Sequence, residues 1–224
     1  MKRNTFALII EAGREGEFRK TLGRTWEEIT SFLDGASADN FSLWQMGTLV
    51  FGYCETPDDV CAPETAAACG RIADTFTGCV TWLSRPGEGM RLMYHDFGIV
   101  RKNKDLIRHR VFATRLKGDF QEEYKSRHDG LIQARHGETD PGPDSNFSIW
   151  NTGRYIFGYD EIDVTMEREQ TEEEHEKTVR WETGMLQIME WITDDVDWLT
   201  GERHPHVIKL ASHSLNCIQA VKDL

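Results

Sequence analysis

Apolar and polar positions predict the same order of elements in both halves of the chain. In the second half, residues 110–117 alternate in the manner of a β-strand. A helix follows, with Asp119 as its predicted N-cap and Glu122 as the capping-box partner. The remaining elements are a hairpin over residues 146–160 with its turn at 151–153, a second helix over 172–199 and a strand over 206–213. The order β-α-β-β-α-β is typical of the ferredoxin-like unit.

The first helix of each half has one face that is predicted to pack on the sheet. In the first half, the residues at helical spacing are Phe18, Leu22, Trp26, Ile29 and Leu33. In the second half, they are Phe120, Tyr124, His128, Leu131 and Ile132.

An internal repeat explains why the order occurs twice. Residues 40–55 (NFSLWQMGTLVFGYCE) and 146–161 (NFSIWNTGRYIFGYDE) are identical at nine of sixteen positions, at an offset of 106. Near the ends of the copies, Trp82 matches Trp198 at an offset of 116, which predicts about ten extra residues in the second copy. The polar segment 101–105 is the predicted linker, so the expected domains are residues 1–105 and 106–224.

These observations predict the fold class. We expect an α+β protein with two tandem ferredoxin-like units, whose sheets pack face to face as an intrachain pseudo-dimeric α+β barrel. The first copy is then needed to cover the exposed sheet face of the second, so the second copy expressed alone should be insoluble or self-associate.

Composition and charge narrow the functions. The 224 residues carry a formal net charge of −12, which disfavours nucleic acid and anionic membranes as partners. No apolar run is long enough to span a membrane. The five cysteines form no CxxC pair, as expected for reduced thiols in a cytoplasmic protein. The spacing of His204, His206 and His213 is more typical of a surface than of a metal site, and no metal or cofactor is expected.

The candidate chemistry emerges when the two copies are compared. At the offset of 106, Tyr124 replaces Phe18 and His128 replaces Leu22. A phenol and an imidazole thus lie one helical turn apart on a face that is predicted to be buried. Buried polar groups are costly without partners. Since histidine and tyrosine can exchange protons with a bound molecule, the pair suits acid and base chemistry on a neutral ligand.

These residues resemble a known family. The segment Glu123-Tyr124-Lys-Ser-Arg127-His128, the strand from Asn146 to Trp150 and the β-α-β-β-α-β order resemble the L-rhamnose mutarotases, small dimeric α+β barrels that interconvert the α and β anomers of a 6-deoxy-L-hexose. The resemblance implies that Tyr124 and His128 are catalytic, in an order of acid and base that the sequence leaves open. Further candidates for binding the sugar are Arg127, Asn146, Trp150, Trp181 and Trp191.

The chain also departs from this family. The Trp-x-Glu segment that the family has after its histidine is absent from the second copy, while the first copy has Trp26-Glu27-Glu28 but lacks the tyrosine and histidine. The resemblance therefore implies one working site, in the second copy, and leaves the choice between L-rhamnose and L-fucose open. The protein is expected to be a monomer with a pseudo-dimeric core or a homodimer.

Two other functions fit the same residues. Related α+β barrels include haem-binding and cofactor-free oxygenases, in which a helical histidine such as His128 ligates iron. A non-catalytic sugar-binding module is the third hypothesis, since the first copy lacks the candidate catalytic pair. Fold alone does not choose among them.

Overall fold

Two units, each built on a five-stranded sheet, make up the structure. A computed structural model describes residues 1–57, 63–101, 103–193 and 206–215. One unit comprises Met1–Met90 with Ile208–Leu224, and the other comprises Arg91–Val207. We call them unit 1 and unit 2.

Both copies of the repeat follow the order predicted from the sequence. The first copy forms β1 (Lys2–Ile10), α1 (Glu15–Gly35), β2 (Asp39–Met46), β3 (Leu49–Thr56), α2 (Pro63–Asp74) and β4 (Val80–Ser84), followed by β5 (Arg91–Asp96). The second copy forms β6 (Ile107–Leu116), α3 (Gln121–Ala134), β7 (Asp144–Thr152), β8 (Tyr155–Asp163), α4 (Glu172–Met185) and β9 (Met189–Thr193), followed by β10 (Val207–His213). The expected α+β class and the ferredoxin-like order are confirmed.

The sheets reveal an exchange of strands between the copies. The sheet of unit 1 has the order β10-β2-β3-β1-β4, and that of unit 2 has the order β5-β7-β8-β6-β9. Each sheet therefore contains one edge strand from the other copy. The prediction that residues 206–213 close the second copy was wrong, because β10 pairs with β2 of the first. The boundary at residues 105 and 106 thus describes the repeat in the sequence, while the units divide the chain differently.

The second helix of copy two is shorter than predicted. It ends at Met185, and β9 follows from Met189 to Thr193. Leu199, the predicted end, lies outside the described residues. The spacing of Trp181, Met185 and Ile188 continues a helical period, but Met189, Trp191 and Thr193 also alternate as a strand. The segment forms a strand rather than a helix because it pairs with β6.

The position of β9 also corrects the alignment of the copies. Leu8 pairs with Trp82 in unit 1, and the equivalent Thr114 pairs with Trp191 in unit 2. Residue 82 therefore corresponds to residue 191, an offset of 109. The predicted match of Trp82 with Trp198 was wrong, and the second copy has three extra residues before this point rather than about ten.

Details at the helix and hairpin ends differ from the sequence predictions. The N-cap of α3 is Phe120 without a capping side chain, so the expected capping box at Asp119 was wrong. A capping box does form at α4, between Thr171 and Glu174. The hairpin turn consists of two residues, Gly153 and Arg154, since Thr152 pairs with Tyr155 and Gly153 has a φ of 56°.

The helix faces pack on the sheets to different extents. In unit 1, the predicted face is confirmed, with Phe18, Leu22, Ile29 and Leu33 buried and Trp26 partly buried. In unit 2, only Tyr124 and His128 are buried. The other three predicted positions are exposed by more than a third, namely Phe120 (39%), Leu131 (36%) and Ile132 (37%).

Candidate functional site

Tyr124 and His128 lie side by side on the buried face of α3. Only 2% of Tyr124 and 5% of His128 is exposed. Their rings stack with a centroid distance of 4.3 Å and an interplanar angle of 24°. The helical spacing that the sequence predicted therefore does bring the phenol and the imidazole together.

The hydrogen bonding of His128 defines its protonation. Its Nδ1 lies 2.9 Å from the backbone carbonyl oxygen of Tyr124. A carbonyl oxygen can only accept, so Nδ1 carries the hydrogen. Burial lowers the pKa of His128 to about 4, which keeps the ring neutral near pH 7. In this neutral tautomer, Nε2 has a lone pair and can act as a base.

Tyr124 is a protonated phenol at the same place. Burial, and next the charge of Glu182, raises the pKa of Tyr124. Within the described part of the chain, its hydroxyl group makes no hydrogen bond. The hydroxyl group can therefore donate a hydrogen bond to a bound molecule.

Two more aromatic rings enclose His128. Trp181, on α4, meets it edge to face at a centroid distance of 5.2 Å. Tyr94, on the exchanged strand β5, lies 5.3 Å away at a tilt of 58°. The first copy thus supplies a residue to the candidate site through the strand exchange.

Polar residues of the sheet and of α4 surround this cluster. Trp191, on β9, donates a hydrogen bond from Nε1 to the buried Glu182 carboxylate. Arg110 and Asp160 are cross-strand neighbours on β6 and β8. Burial, and next the Asp144 carboxylate, raises the pKa of Asp160 well above its usual range. Its Oδ1 is buried without a partner among the described residues.

Sequence reasoning missed four of these residues. Arg110 and Asp160 correspond to Asn4 and Cys54 of the first copy, so the comparison of copies could have found them. Glu182 corresponds to Ala73 only at the corrected offset of 109. Tyr94 could not be predicted from the sequence, because the residues around it do not show which sheet its strand joins.

Arg127 lies at the side of this cluster rather than within it. Its Nε donates to Glu123 Oε1 at 2.8 Å, and its Nη1 donates to the backbone oxygen of Gly184 at 2.7 Å. The guanidinium group thereby connects α3 to the end of α4. A role in sugar binding remains a prediction for this residue.

Asn146 and Trp150 also lie away from the cluster. Asn146 is buried with a φ of 54°, and its Nδ2 lies 3.2 Å from Glu161 Oε1. The first copy repeats this arrangement with Asn40 and Glu55. On β7, Trp150 alternates with Ile149, which packs in the core below the helices, so Trp150 occupies the opposite face of the sheet. Their predicted roles in sugar binding are untested.

Other predicted features fall outside this site. Of the histidines considered for metal, His213 contacts Asp34 through Nε2 at 2.8 Å, and His204 lies outside the described residues. Cys54, Cys69 and Cys79 are free thiols, and burial raises the pKa of Cys54 to about 12. In the described ranges, no helix has the length and apolar character needed to cross a bilayer.

Comparison with known proteins points to the second copy. Residues 109–208 match the sequence model of the L-rhamnose mutarotase family. The matched range contains Tyr124, His128, Trp181 and Trp191. The resemblance expected from the sequence is thus supported for the second copy. A search of functionally curated proteins yields no match.

Two solved structures are distantly similar in fold. A protein from Fusobacterium nucleatum subsp. nucleatum, named as a monooxygenase, is 7% identical, with 92% of this chain and 95% of that chain covered and a TM-score of 0.43. An anthrone oxidase-like protein is 12% identical, with 99% and 96% covered and a TM-score of 0.45. Neither likeness is close enough to inform the function.

Proposed function

We propose that unit 2 is an aldose mutarotase that interconverts the α and β anomers of a 6-deoxy-L-hexose, either L-rhamnose or L-fucose. The observation that carries this proposal is the pairing of a neutral His128, whose Nε2 has a lone pair, with a protonated Tyr124 in van der Waals contact. The family match over residues 109–208 supports the same class of reaction.

The two side chains suit the two proton transfers of ring opening. His128 Nε2 takes the proton of the anomeric hydroxyl, and the electron pair of that O–H bond forms the C1 carbonyl. The bond between C1 and the ring oxygen breaks, and the ring oxygen takes the proton of the Tyr124 hydroxyl. Rotation about C1–C2 and the reverse transfers close the ring on the other face. Both side chains end in their starting states.

The surrounding residues suit a small neutral sugar. The indole rings of Trp181 and Trp191 supply flat apolar surface of the kind that stacks on a sugar ring. The hydrogen bond to Glu182 fixes the orientation of Trp191. The buried Asp160, with an unpartnered oxygen, can bond a sugar hydroxyl.

Exchange spectroscopy on the anomeric protons tests this function. We expect the wild type to accelerate anomer exchange of L-rhamnose or L-fucose. In His128→Leu and Tyr124→Phe, the rate of exchange should fall at least about a hundredfold, the usual contribution of a positioned acid or base to a rate. Both substitutions place in unit 2 the residues that unit 1 already packs at the equivalent positions, Leu22 and Phe18. His175→Leu, at an exposed position of α4, is the matched control.

Three results would count against the proposal. Failure of the wild type to accelerate exchange of either sugar would refute it. Sugar binding without accelerated exchange would favour a non-catalytic binding module. A Soret absorption band in the purified protein that is lost in His128→Leu would favour a haem protein, although the rings of Tyr94, Tyr124 and Trp181 already surround His128.

A further inference from the structure

Unit 1 contains an apolar cavity between its helices and its sheet. The cavity has a volume of about 270 Å³. Its walls come from α1, α2 and the strands β1 to β4, and they include Phe6, Phe18, Leu22, Phe76 and Trp82. All its lining residues belong to the first copy.

The cavity lies where unit 2 has the side chains of Trp181 and Glu182, next to its candidate catalytic residues. The equivalence rests on matching backbone hydrogen bonds, since Cys79 N bonds Phe76 O as Ile188 N bonds Met185 O. At this offset of 109, Ile72 replaces Trp181 and Ala73 replaces Glu182. The loss of an indole and of a carboxylate side chain accounts for the open volume, and the polar pair of α3 is replaced by Phe18 and Leu22.

One end of the cavity is polar. Lys2 and Asn4 on β1 face Thr56 and Cys54 on β3, and all four line the cavity. Asn4 donates from Nδ2 to the Thr56 hydroxyl oxygen at 2.8 Å, so the Thr56 hydroxyl keeps its own hydrogen to donate. Lys2 is exposed at this end, which adds a positive charge beside the opening.

We propose that unit 1 binds a small carboxylate with an apolar body in this cavity. The hydrocarbon lies among the aromatic and aliphatic side chains, and the carboxylate lies at the end formed by Lys2, Asn4 and Thr56. A sugar does not suit this site, because the apolar walls would leave its hydroxyl groups without partners. The proposal is therefore independent of the sugar chemistry proposed for unit 2.

The size of the cavity favours a ligand. A dry apolar cavity of about 150 Å³ is already large enough to bind benzene, and an empty one destabilises a fold in proportion to its volume. At about 270 Å³, the space in unit 1 exceeds that size and can hold a longer or bicyclic body.

Titration of the full chain with decanoate and with decanol tests the site. We expect decanoate to bind with a stoichiometry of one by calorimetry. Ile72→Trp, which introduces the residue of unit 2, should weaken decanoate by at least about tenfold by filling the cavity. Arg71→Trp introduces the same ring at the adjacent, exposed position and should bind as the wild type does. Lys2→Gln should lower the affinity for decanoate but not the affinity for decanol.

The outcome is decisive in either direction. No saturable binding of decanoate by the wild type would overturn the proposal, and so would an Ile72→Trp variant that is folded and binds with unchanged affinity. Should Ile72→Trp not fold, Ala73→Leu fills the same space with a smaller side chain and must show the same loss. Retained binding in His128→Leu separates this site from the one in unit 2.

Discussion

Gly158→Ala should destabilise the protein because no room exists for a methyl group. A Cβ at this position of β8 would lie 2.0 Å from Phe112 Cε1 and 2.1 Å from Cζ. The Phe112 ring is held from several sides. It meets the rings of Trp191 at 5.4 Å and Phe147 at 6.4 Å, and the guanidinium carbon of Arg110 lies 5.0 Å from its centroid.

The structure sets the size of the effect. Ordinary contacts begin near 3.4 Å, so the ring or the strand must move by about 1.4 Å. Overpacking of a well-packed core costs about 1–3 kcal/mol, and the upper end applies here because the neighbours of the ring are themselves packed. In contrast, Gly130 lies inside α3 with nothing within 4 Å of its Cβ position. Gly130→Ala should therefore stabilise by about 0.5–1 kcal/mol.

Urea unfolding followed by circular dichroism measures both variants. The same substitution should shift the midpoint in opposite directions at the two sites. Gly52→Ala repeats the experiment in unit 1, where the Phe6 ring would lie 2.1 Å from the new Cβ. Adding Phe112→Leu to Gly158→Ala should recover part of the loss. A Gly158→Ala free energy of unfolding within about 0.5 kcal/mol of the wild-type value would refute the reasoning.

Three further predictions follow from the same structure. The folded-state pKa of His128 is about 4, below its unfolded value of about 6.5, so its contribution of about 3 kcal/mol to the free energy of unfolding should be fully present above pH 6.5 and lost as the pH falls towards 4. In urea titrations across this range, the free energy of unfolding should depend less on pH in His128→Leu than in the wild type. Thr171→Ala removes the capping box of α4 and should lower the free energy of unfolding by about 1 kcal/mol in the same urea assay, whereas an unchanged value would show that the cap contributes nothing. A fragment of residues 106–224 lacks β5 and should self-associate through the uncovered edge of β7, while a fragment of residues 91–207 retains that strand; gel filtration distinguishes them, and a monomeric 106–224 fragment would contradict the prediction.

The repeat made much of each unit predictable. Strong local signals such as the aromatic hairpin and the spacing of Tyr124 and His128 gave the correct elements and the correct burial. Both signals come from residues that are close in sequence, because the spacing of apolar residues and the choice of turn residues are local properties. Reading one copy against the other then revealed which positions differ in polarity.

The errors arose where partners distant in sequence decide the structure. The stretch around Trp191 fits a helical and a strand period equally, and only its pairing with β6 resolves the choice. Tyr94 reaches His128 because β5 joins the sheet of unit 2, a choice of edge that local sequence does not encode. The exposure of Leu131 and Ile132 likewise shows that spacing alone does not establish what covers a helix face.

The two copies differ in the side chains between their helices and sheet, and they share the contacts that hold the strands of the sheet in place. Phe6 over Gly52 and Phe112 over Gly158 are the same close contact, and the bonds of Asn40 to Glu55 and of Asn146 to Glu161 are the same buried bond. These shared features fix the backbone of each unit. Between helices and sheet, unit 2 places a phenol, an imidazole and carboxyl groups where unit 1 has an apolar cavity. One backbone therefore supports two different sets of side chains between helices and sheet, so substitutions in one set should leave the ligand binding that we propose for the other unit intact.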